Sequence, residues 1–134
     1  MIILAILGIL AAIAVPNFVE MQYRAKRAEL PGNVDGIKNA VLAYESAYGE
    51  VLTESVPRPD ALPGKRSRAW RTGSRFDALG WAPEGDVRGS YTVHAKGEDF
   101  QIRGFCDVDG DGSQAVFTAT RSTNAVQTTV GTAY

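Results

Sequence analysis

Several residue types that support chemistry are scarce in this chain of 134 residues. Cys106 is the only cysteine, which excludes a disulfide within the chain, and we expect it to be a small buried side chain. His94 is the only histidine, and no nucleophile, base and orienting group can be assembled around either residue. No glycine-rich phosphate loop is present, and the net charge of −1 gives no overall bias toward nucleic acid. The sequence therefore argues against an enzyme.

Polar and charged side chains are missing altogether from residues 1–15. Leu, Ile and Val each favour the bilayer centre by about 0.3–0.6 kcal/mol, so this run should insert into a membrane. A helix up to Val19 would rise about 28 Å, just under a hydrocarbon core of about 30 Å. This borderline length leads us to expect further residues before Met1. The basic cluster 24–27 would place the head in the cytoplasm by the positive-inside rule, an orientation that a basic leader would reverse.

The segment Ala5–Phe18 resembles the N-terminal signature of type IV pilins and of the pseudopilins of type II secretion. The match is close over residues 1–27. Two later segments, Phe76–Pro83 and Asp107–Gly112, resemble parts of some pilin-like heads more loosely. The resemblance implies that a leader-cleavage site, a methylated first residue and an assembly glutamate lie before Met1, and that a prepilin peptidase processes the chain.

The same resemblance implies a fold and a function. The fold is α+β, with a long N-terminal hydrophobic helix whose amphipathic C-terminal half packs on a four-stranded antiparallel sheet. The function is that of a structural subunit that polymerises through its helix into a type IV pilus filament. A type II secretion pseudopilin, and a membrane-tethered minor pilin that binds DNA or a surface, are the alternatives. The implied partners are further copies of the chain, the inner membrane and the pilus or secretion assembly machinery. The implied location is the inner membrane and then the cell surface, or the periplasm for a pseudopilin.

Residues 1–23 form the expected transmembrane and filament-core helix. Burying one Leu or Ile is worth roughly 1.5–3 kcal/mol, so this helix must stay in lipid or among other helices, although a simple single-span anchor would satisfy the same demand. Pro16 lacks an N–H and clashes with the carbonyl of Ala12, which predicts a melted stretch or a kink between Gly8 and Pro16. The expected core residues are Ile6, Leu7, Gly8, Ile9, Leu10, Ile13, Val15, Pro16 and Phe18.

Residues 24–134 form the expected globular head, beginning with an amphipathic helix over 24–48. An apolar stripe at spacings of three and four predicts that this helix packs on the sheet. Leu30–Asn33 interrupts the pattern and predicts a bend near Pro31, with a break into two helices, capped by Asn33, as the alternative. The stripe consists of Val34, Ile37, Val41, Tyr44 and Tyr48.

The connector 49–88 holds four of the six prolines, and the sheet follows over 89–134. Within the connector, Ser74–Asp77 resembles a capping box and predicts a short helical turn, from which Phe76, Leu79 and Trp81 would pin the loop to the core. Alternating segments separated by turn residues predict an antiparallel meander. Its expected strands are Tyr91–Ala95, Phe100–Cys106, Ala115–Thr120 and Ala125–Thr129.

Two clusters are candidate sites. Asp107, Asp109 and Asp111 alternate in a glycine-containing loop that resembles the start of a calcium loop. Thr118 stands where an EF-hand needs a bidentate Glu, so calcium would bind in a turn between strands, and the alternative is a plain Asp-Gly turn. A basic stretch in the connector predicts a contact with acidic patches of neighbouring subunits, or with DNA as the alternative. Its residues are Lys65, Arg66, Arg68, Trp70, Arg71 and Arg75.

Overall fold

Two helices occupy the N-terminal third of the chain in a computed structural model that describes residues 1–134. Helix α1 spans Ile2–Arg27 and helix α2 spans Glu29–Tyr48, with Ala28 as the residue between them. Together they form a nearly continuous 47-residue helix, whose N-terminal part is long and apolar enough to cross a membrane.

The melted stretch predicted between Gly8 and Pro16 is not present, since α1 continues through Pro16. Proline removes one backbone donor, toward the carbonyl of Ala12, but the neighbouring residues keep the helical conformation. Three of the five residues before Pro16 are alanines, which have the highest helix propensity. In this single chain the prediction of melting is therefore wrong.

The interruption of the helix lies three residues before Pro31, at Ala28, whose backbone keeps helical angles (φ −61°, ψ −15°). Pro31 offers no N–H to the carbonyl of Arg27, so the helix loosens just before the first turn of α2, where a proline is tolerated. Asn33 is not a cap, because it lies inside α2. Its Nδ2 donates to Glu29 Oε1 at 3.2 Å and to Tyr91 Oη at 2.8 Å.

The rest of the chain forms an antiparallel sheet of five strands, a separate two-stranded ribbon and one short helix. The large sheet has the order β1-β4-β5-β6-β7, and the ribbon pairs β2 with β3. The elements are β1 (Glu54–Arg58), β2 (Arg68–Ala69), α3 (Arg75–Ala78), β3 (Asp86–Val87), β4 (Ser90–Lys96), β5 (Asp99–Cys106), β6 (Ala115–Thr120) and β7 (Val126–Gln127). The architecture is the expected α+β arrangement of a long helix and an antiparallel sheet.

The sheet has five strands where four were predicted, because the connector contributes the additional strand β1. Pro57 lies inside β1, and a proline argues against a strand in the middle of a sheet. β1 is an edge strand, where the missing donor can face away from the ladder. At the opposite edge, β7 is shorter than the expected Ala125–Thr129.

Helix α2 packs on the sheet through Leu30, Val34, Ile37 and Val41, all fully buried. The helix approaches the sheet closely at Gly104, where an added Cβ would lie 2.7 Å from Val34 Cγ2. The two tyrosines of the expected stripe behave differently from its aliphatic members. Tyr44 is half-buried, and Tyr48 is 70% exposed because it ends α2 with its ring 4.5 Å from that of Tyr44 instead of on the sheet.

The short helix α3 forms where the capping box predicted it, but Ser74 does not cap it with its side chain. Glu54 of β1 accepts the N–H of Arg75 at 3.0 Å and thereby satisfies one of the free donors at the helix start. Phe76 and Leu79 are buried in the core, with Trp81 packed partly against it. The connector is thus held to the sheet by this helical turn.

The segment 131–134 ties the junction of the two long helices to the loop 107–112. Tyr134 is buried, its ring lies 5.8 Å from that of Tyr23, and its carbonyl accepts the N–H of Val108 at 2.9 Å. The guanidinium of Arg27 lies 4.9 Å from the centre of the Tyr134 ring and donates to the carbonyls of Gly131 and Ala133. These contacts hold the segment without a disulfide.

We predict that Gly104→Ala destabilises the head by about 1–3 kcal/mol, because the new methyl group meets Val34 and Tyr91 in a packed core. Gly32→Ala is the matched control, since nothing lies within 4 Å of its Cβ and alanine favours a helix. Denaturant unfolding of the full chain in detergent, followed by circular dichroism, measures both. Equal stabilities of the two variants would contradict the close helix–sheet contact.

We also predict that Tyr134→Ala costs about 1.5–3 kcal/mol of unfolding free energy, because a buried aromatic side chain returns to water. Tyr48→Ala removes an exposed tyrosine and should change stability by less than about 0.5 kcal/mol. The same unfolding measurement applies, together with limited proteolysis of the segment 131–134. A Tyr134→Ala variant as stable as Tyr48→Ala would show that this segment does not support the head.

Candidate functional site

The largest unburied apolar surface of the molecule is α1. Every residue from Met1 to Gln22 is exposed, and half-burial begins only at Tyr23. Leu10 and Ile13 are 57% and 61% exposed, whereas Leu30, in α2, is fully buried. The surface includes all nine residues expected in a filament core, namely Ile6, Leu7, Gly8, Ile9, Leu10, Ile13, Val15, Pro16 and Phe18.

Helix α1 is joined to the head through polar contacts that begin at Glu20, about two turns before its end. Glu20 accepts a hydrogen bond from Tyr134 Oη at 3.2 Å and forms an exposed ion pair with Arg24 at 3.5 Å. Glu29, just past the junction, accepts from the backbone N–H of Arg88 at 3.2 Å and from Tyr91 Oη at 3.4 Å. The direction of the apolar helix is therefore fixed by residues of the sheet and of the segment 131–134.

The three carboxylates of the loop 107–112 converge, with oxygens within 4.8 Å of one another. Asp107 accepts backbone N–H groups from Gly110 at 2.7 Å and from Gly112 at 3.2 Å. Asp111 accepts that of Ser113, two residues on, at 2.6 Å, which is the hydrogen bond of an Asx turn. Asp109 Oδ1 is buried without a hydrogen-bond partner, and loss of hydration raises the pKa of this carboxyl. The geometry suits both a turn and a group of oxygen ligands, so calcium binding stays a prediction.

One cation of the basic stretch lies against this acidic loop. The alkyl chain of Lys65 covers Gly110, so that a Cβ added to the glycine would lie 2.7 Å from Lys65 Cε. Gly110 has φ +68°, a conformation that favours a residue without a side chain. The sequence grouped Lys65 with the arginines that follow it, but the fold places it on the loop of opposite charge.

Two arginines of the basic stretch, Arg68 and Arg71, line an open cavity of about 540 Å³ together with Arg58 of β1. We call it the arginine cavity. Arg58 forms an ion pair with Asp60 at 2.6 Å, whereas neither Arg68 nor Arg71 has a salt bridge or a side-chain hydrogen bond. Arg66 is exposed outside the cavity lining. Arg75 is directed elsewhere, because its Nη1 donates to the carbonyl of Thr53 at 3.4 Å.

Trp70 does not present a free ring to a nucleic-acid base. Its ring makes edge contacts with Phe76 and Trp81, each at a centroid distance of 5.4 Å, and lies 6.3 Å from Tyr91. Base stacking needs an accessible aromatic face, and this side chain is half-buried in an aromatic cluster. The structure thus leaves the arginines, without the tryptophan, as the exposed part of the predicted contact.

Cys106 and His94 belong to the sheet. Cys106 is fully buried at the end of β5, and burial raises the pKa of its thiol to about 12. A thiol with so high a pKa is a poor nucleophile. His94 is half-buried on β4, opposite Gln101 of β5. Neither side chain contributes to the arginine cavity or to the acidic loop.

The chain is similar to a known structural protein. It is 31% identical over 111 residues, 81% of its length, to the type IV major pilin protein PilA of Myxococcus xanthus strain DK1622. The similarity covers 40% of that protein, so the chain spans less than half the length of this relative. No protein-family model and no solved structure matches the chain. Its N-terminal signature, its helix-and-sheet fold and this relative make the chain similar to proteins of the type IV pilin family.

Proposed function

We propose that the chain is a structural subunit that polymerises through α1 into a type IV pilus filament. The observation that carries this proposal is the exposure of α1 on all sides over residues 1–22. Each Leu or Ile left in water costs roughly 1.5–3 kcal/mol relative to burial, so this helix needs an apolar surround. Lipid of the inner membrane supplies one before assembly, and a bundle of identical helices supplies another within a filament.

Assembly into a filament, beyond simple anchoring, is supported by the way α1 joins the head. Only Ala28 separates α1 from α2, whose inner face is buried against the sheet. Packing the apolar helices of several copies therefore fixes the spacing of their heads, as a helical polymer requires. The relative is named a major pilin, which favours the subunit of a surface fibre over a minor component.

We predict that Leu10→Asp abolishes assembly, because a carboxylate at the centre of an apolar helix bundle or bilayer costs about 2.5–3.5 kcal/mol. Val130→Asp is the matched control, since Val130 is 75% exposed on the head. Filaments sheared from cells that express each variant are counted by negative-stain microscopy and checked for the chain by mass spectrometry. The control should produce filaments in wild-type amounts.

The same experiment separates the alternatives. A wild-type chain found only in the membrane, with no fibres, would identify α1 as a simple anchor. A wild-type chain that forms no surface fibres but whose deletion blocks protein secretion would identify a pseudopilin of a type II secretion system. If the Leu10→Asp variant forms fibres in wild-type amounts, the proposed role of α1 in the filament core is contradicted.

Calcium at the acidic loop is tested on the full chain in detergent by isothermal titration calorimetry. We predict saturable binding by the wild type and its loss in Asp109→Asn, because the carboxylates of the loop are the hard oxygen ligands that calcium prefers. Asp60→Asn, outside the loop, is the control and should bind as the wild type does. Absence of heat with the wild type would leave a plain Asp-Gly turn.

A further inference from the structure

A second charged surface lies where α2 ends and the β4–β5 hairpin turns. Its lining contains four carboxylates and a single cation, Arg121. We call the carboxylates the acidic rim: Glu45, Glu50, Glu98 and Asp99. Arg121 is already paired with Glu45 at 2.7 Å.

Two members of the acidic rim are free to meet a partner. Asp99 is used within the fold, because its Oδ1 accepts the N–H groups of Phe100 and Arg121. The carboxylates of Glu50 and Glu98 have neither an ion pair nor a hydrogen bond. The rim therefore presents uncompensated negative charge to solvent.

The arginine cavity has the opposite property, a shortage of acceptors. Besides the unpaired Arg68 and Arg71, three polar atoms on its lining residues are buried without a hydrogen-bond partner: Arg58 Nε, Trp70 Nε1 and Ser74 Oγ. The two nitrogens are donors, and the hydroxyl can donate as well. Carboxylate oxygens form the strongest bonds with guanidinium groups. The exposed, unpaired Arg68 and Arg71 therefore suit the cavity to receive carboxylates.

The two surfaces lie toward opposite ends of the head. Arg58 is opposite Tyr91 in the sheet, and Tyr91 contacts Asn33 in the first part of α2. Glu50 directly follows the end of α2. The part of α2 between Asn33 and Gly49 rises about 24 Å at 1.5 Å per residue. The arginine cavity is therefore on the side of the head near α1, and the acidic rim is on the far side.

We propose that the acidic rim of one copy docks into the arginine cavity of another copy in the filament. The inference rests on the proposed function, because it needs parallel helices packed with a stagger. With that packing, the far side of one head faces the near side of the next. A contact between two different surfaces of identical subunits continues along a fibre whenever the rotation between neighbours does not close a ring. Opposite charges fix which surfaces meet, because like charges across a contact cost several kcal/mol.

DNA is a less suitable occupant of the cavity. Nucleic-acid binding of this kind combines cations with exposed aromatic rings. Trp70, the aromatic residue of the stretch, is half-buried against Phe76 and Trp81. DNA could still be bound by phosphate contacts with Arg68 and Arg71 alone, and the charge-reversal experiment below distinguishes this case.

The test is charge reversal of each surface, alone and together, in the full chain in cells. Arg68→Glu with Arg71→Glu, and Glu50→Lys with Glu98→Lys, should each lower the yield of sheared filaments about tenfold or more, because like charges then face each other. The chain that carries all four substitutions should restore most of the yield. Arg103→Glu is the control, since Arg103 is exposed on β5 outside both surfaces.

Each outcome decides the proposal. Wild-type yields from either reversed surface, or loss in both without recovery in the combined chain, would overturn it. Filaments that persist with Arg68→Glu and Arg71→Glu but no longer retain DNA would assign the cavity to DNA instead. If a reversed variant does not fold by circular dichroism, Arg68→Gln with Arg71→Gln must lower the yield in the same direction. Absence of filaments from the wild type would instead count against the proposed function.

Discussion

The apolar surface of α1 cannot remain in water, and this constraint governs the rest of the molecule. Residues 1–22 are all exposed, so the stability of this apolar helix depends on surroundings outside the chain. The head has its own core, in which Leu30, Val34, Ile37 and Val41 of α2 cover the sheet. The nearly continuous helix thus carries two apolar surfaces, one on α1 and one on α2, and only the surface on α2 is buried within a single copy.

The junction between these two surfaces decides whether packing of α1 controls the position of the head. Arg27 and Tyr134 attach the segment 131–134 to the end of α1, and Glu29 links the start of α2 to Arg88. Since the chain has a single cysteine and cannot form an internal disulfide, these polar and aromatic contacts hold the segment 131–134 and the start of α2 in place. A firm junction transmits the geometry of a helix bundle to the sheet.

The regular elements of this fold were predictable because their signals are local. Periodicity located α2 and the three strands β4 to β6, and the missing charges located α1. β1 was not predicted because Pro57 argues against a strand, although a proline is tolerated at a sheet edge. Tyr48 was wrongly expected to pack on the sheet because the helical periodicity continues beyond the residues of α2 that contact the sheet. The contact of Arg27 with Tyr134 joins residues 107 apart in sequence and has no local signature.

The candidate site shows how a fold changes the meaning of a sequence cluster. Six residues between Lys65 and Arg75 formed one basic group in sequence, but Lys65 covers the acidic loop and Trp70 enters the aromatic cluster. Arg68 and Arg71 face an open cavity, while unpaired carboxylates gather at the far side of the head. A net charge of −1 therefore coexists with a basic and an acidic surface that lie toward opposite ends of the head. Separation of this kind favours association of a chain with copies of itself, since each copy offers both halves of the contact.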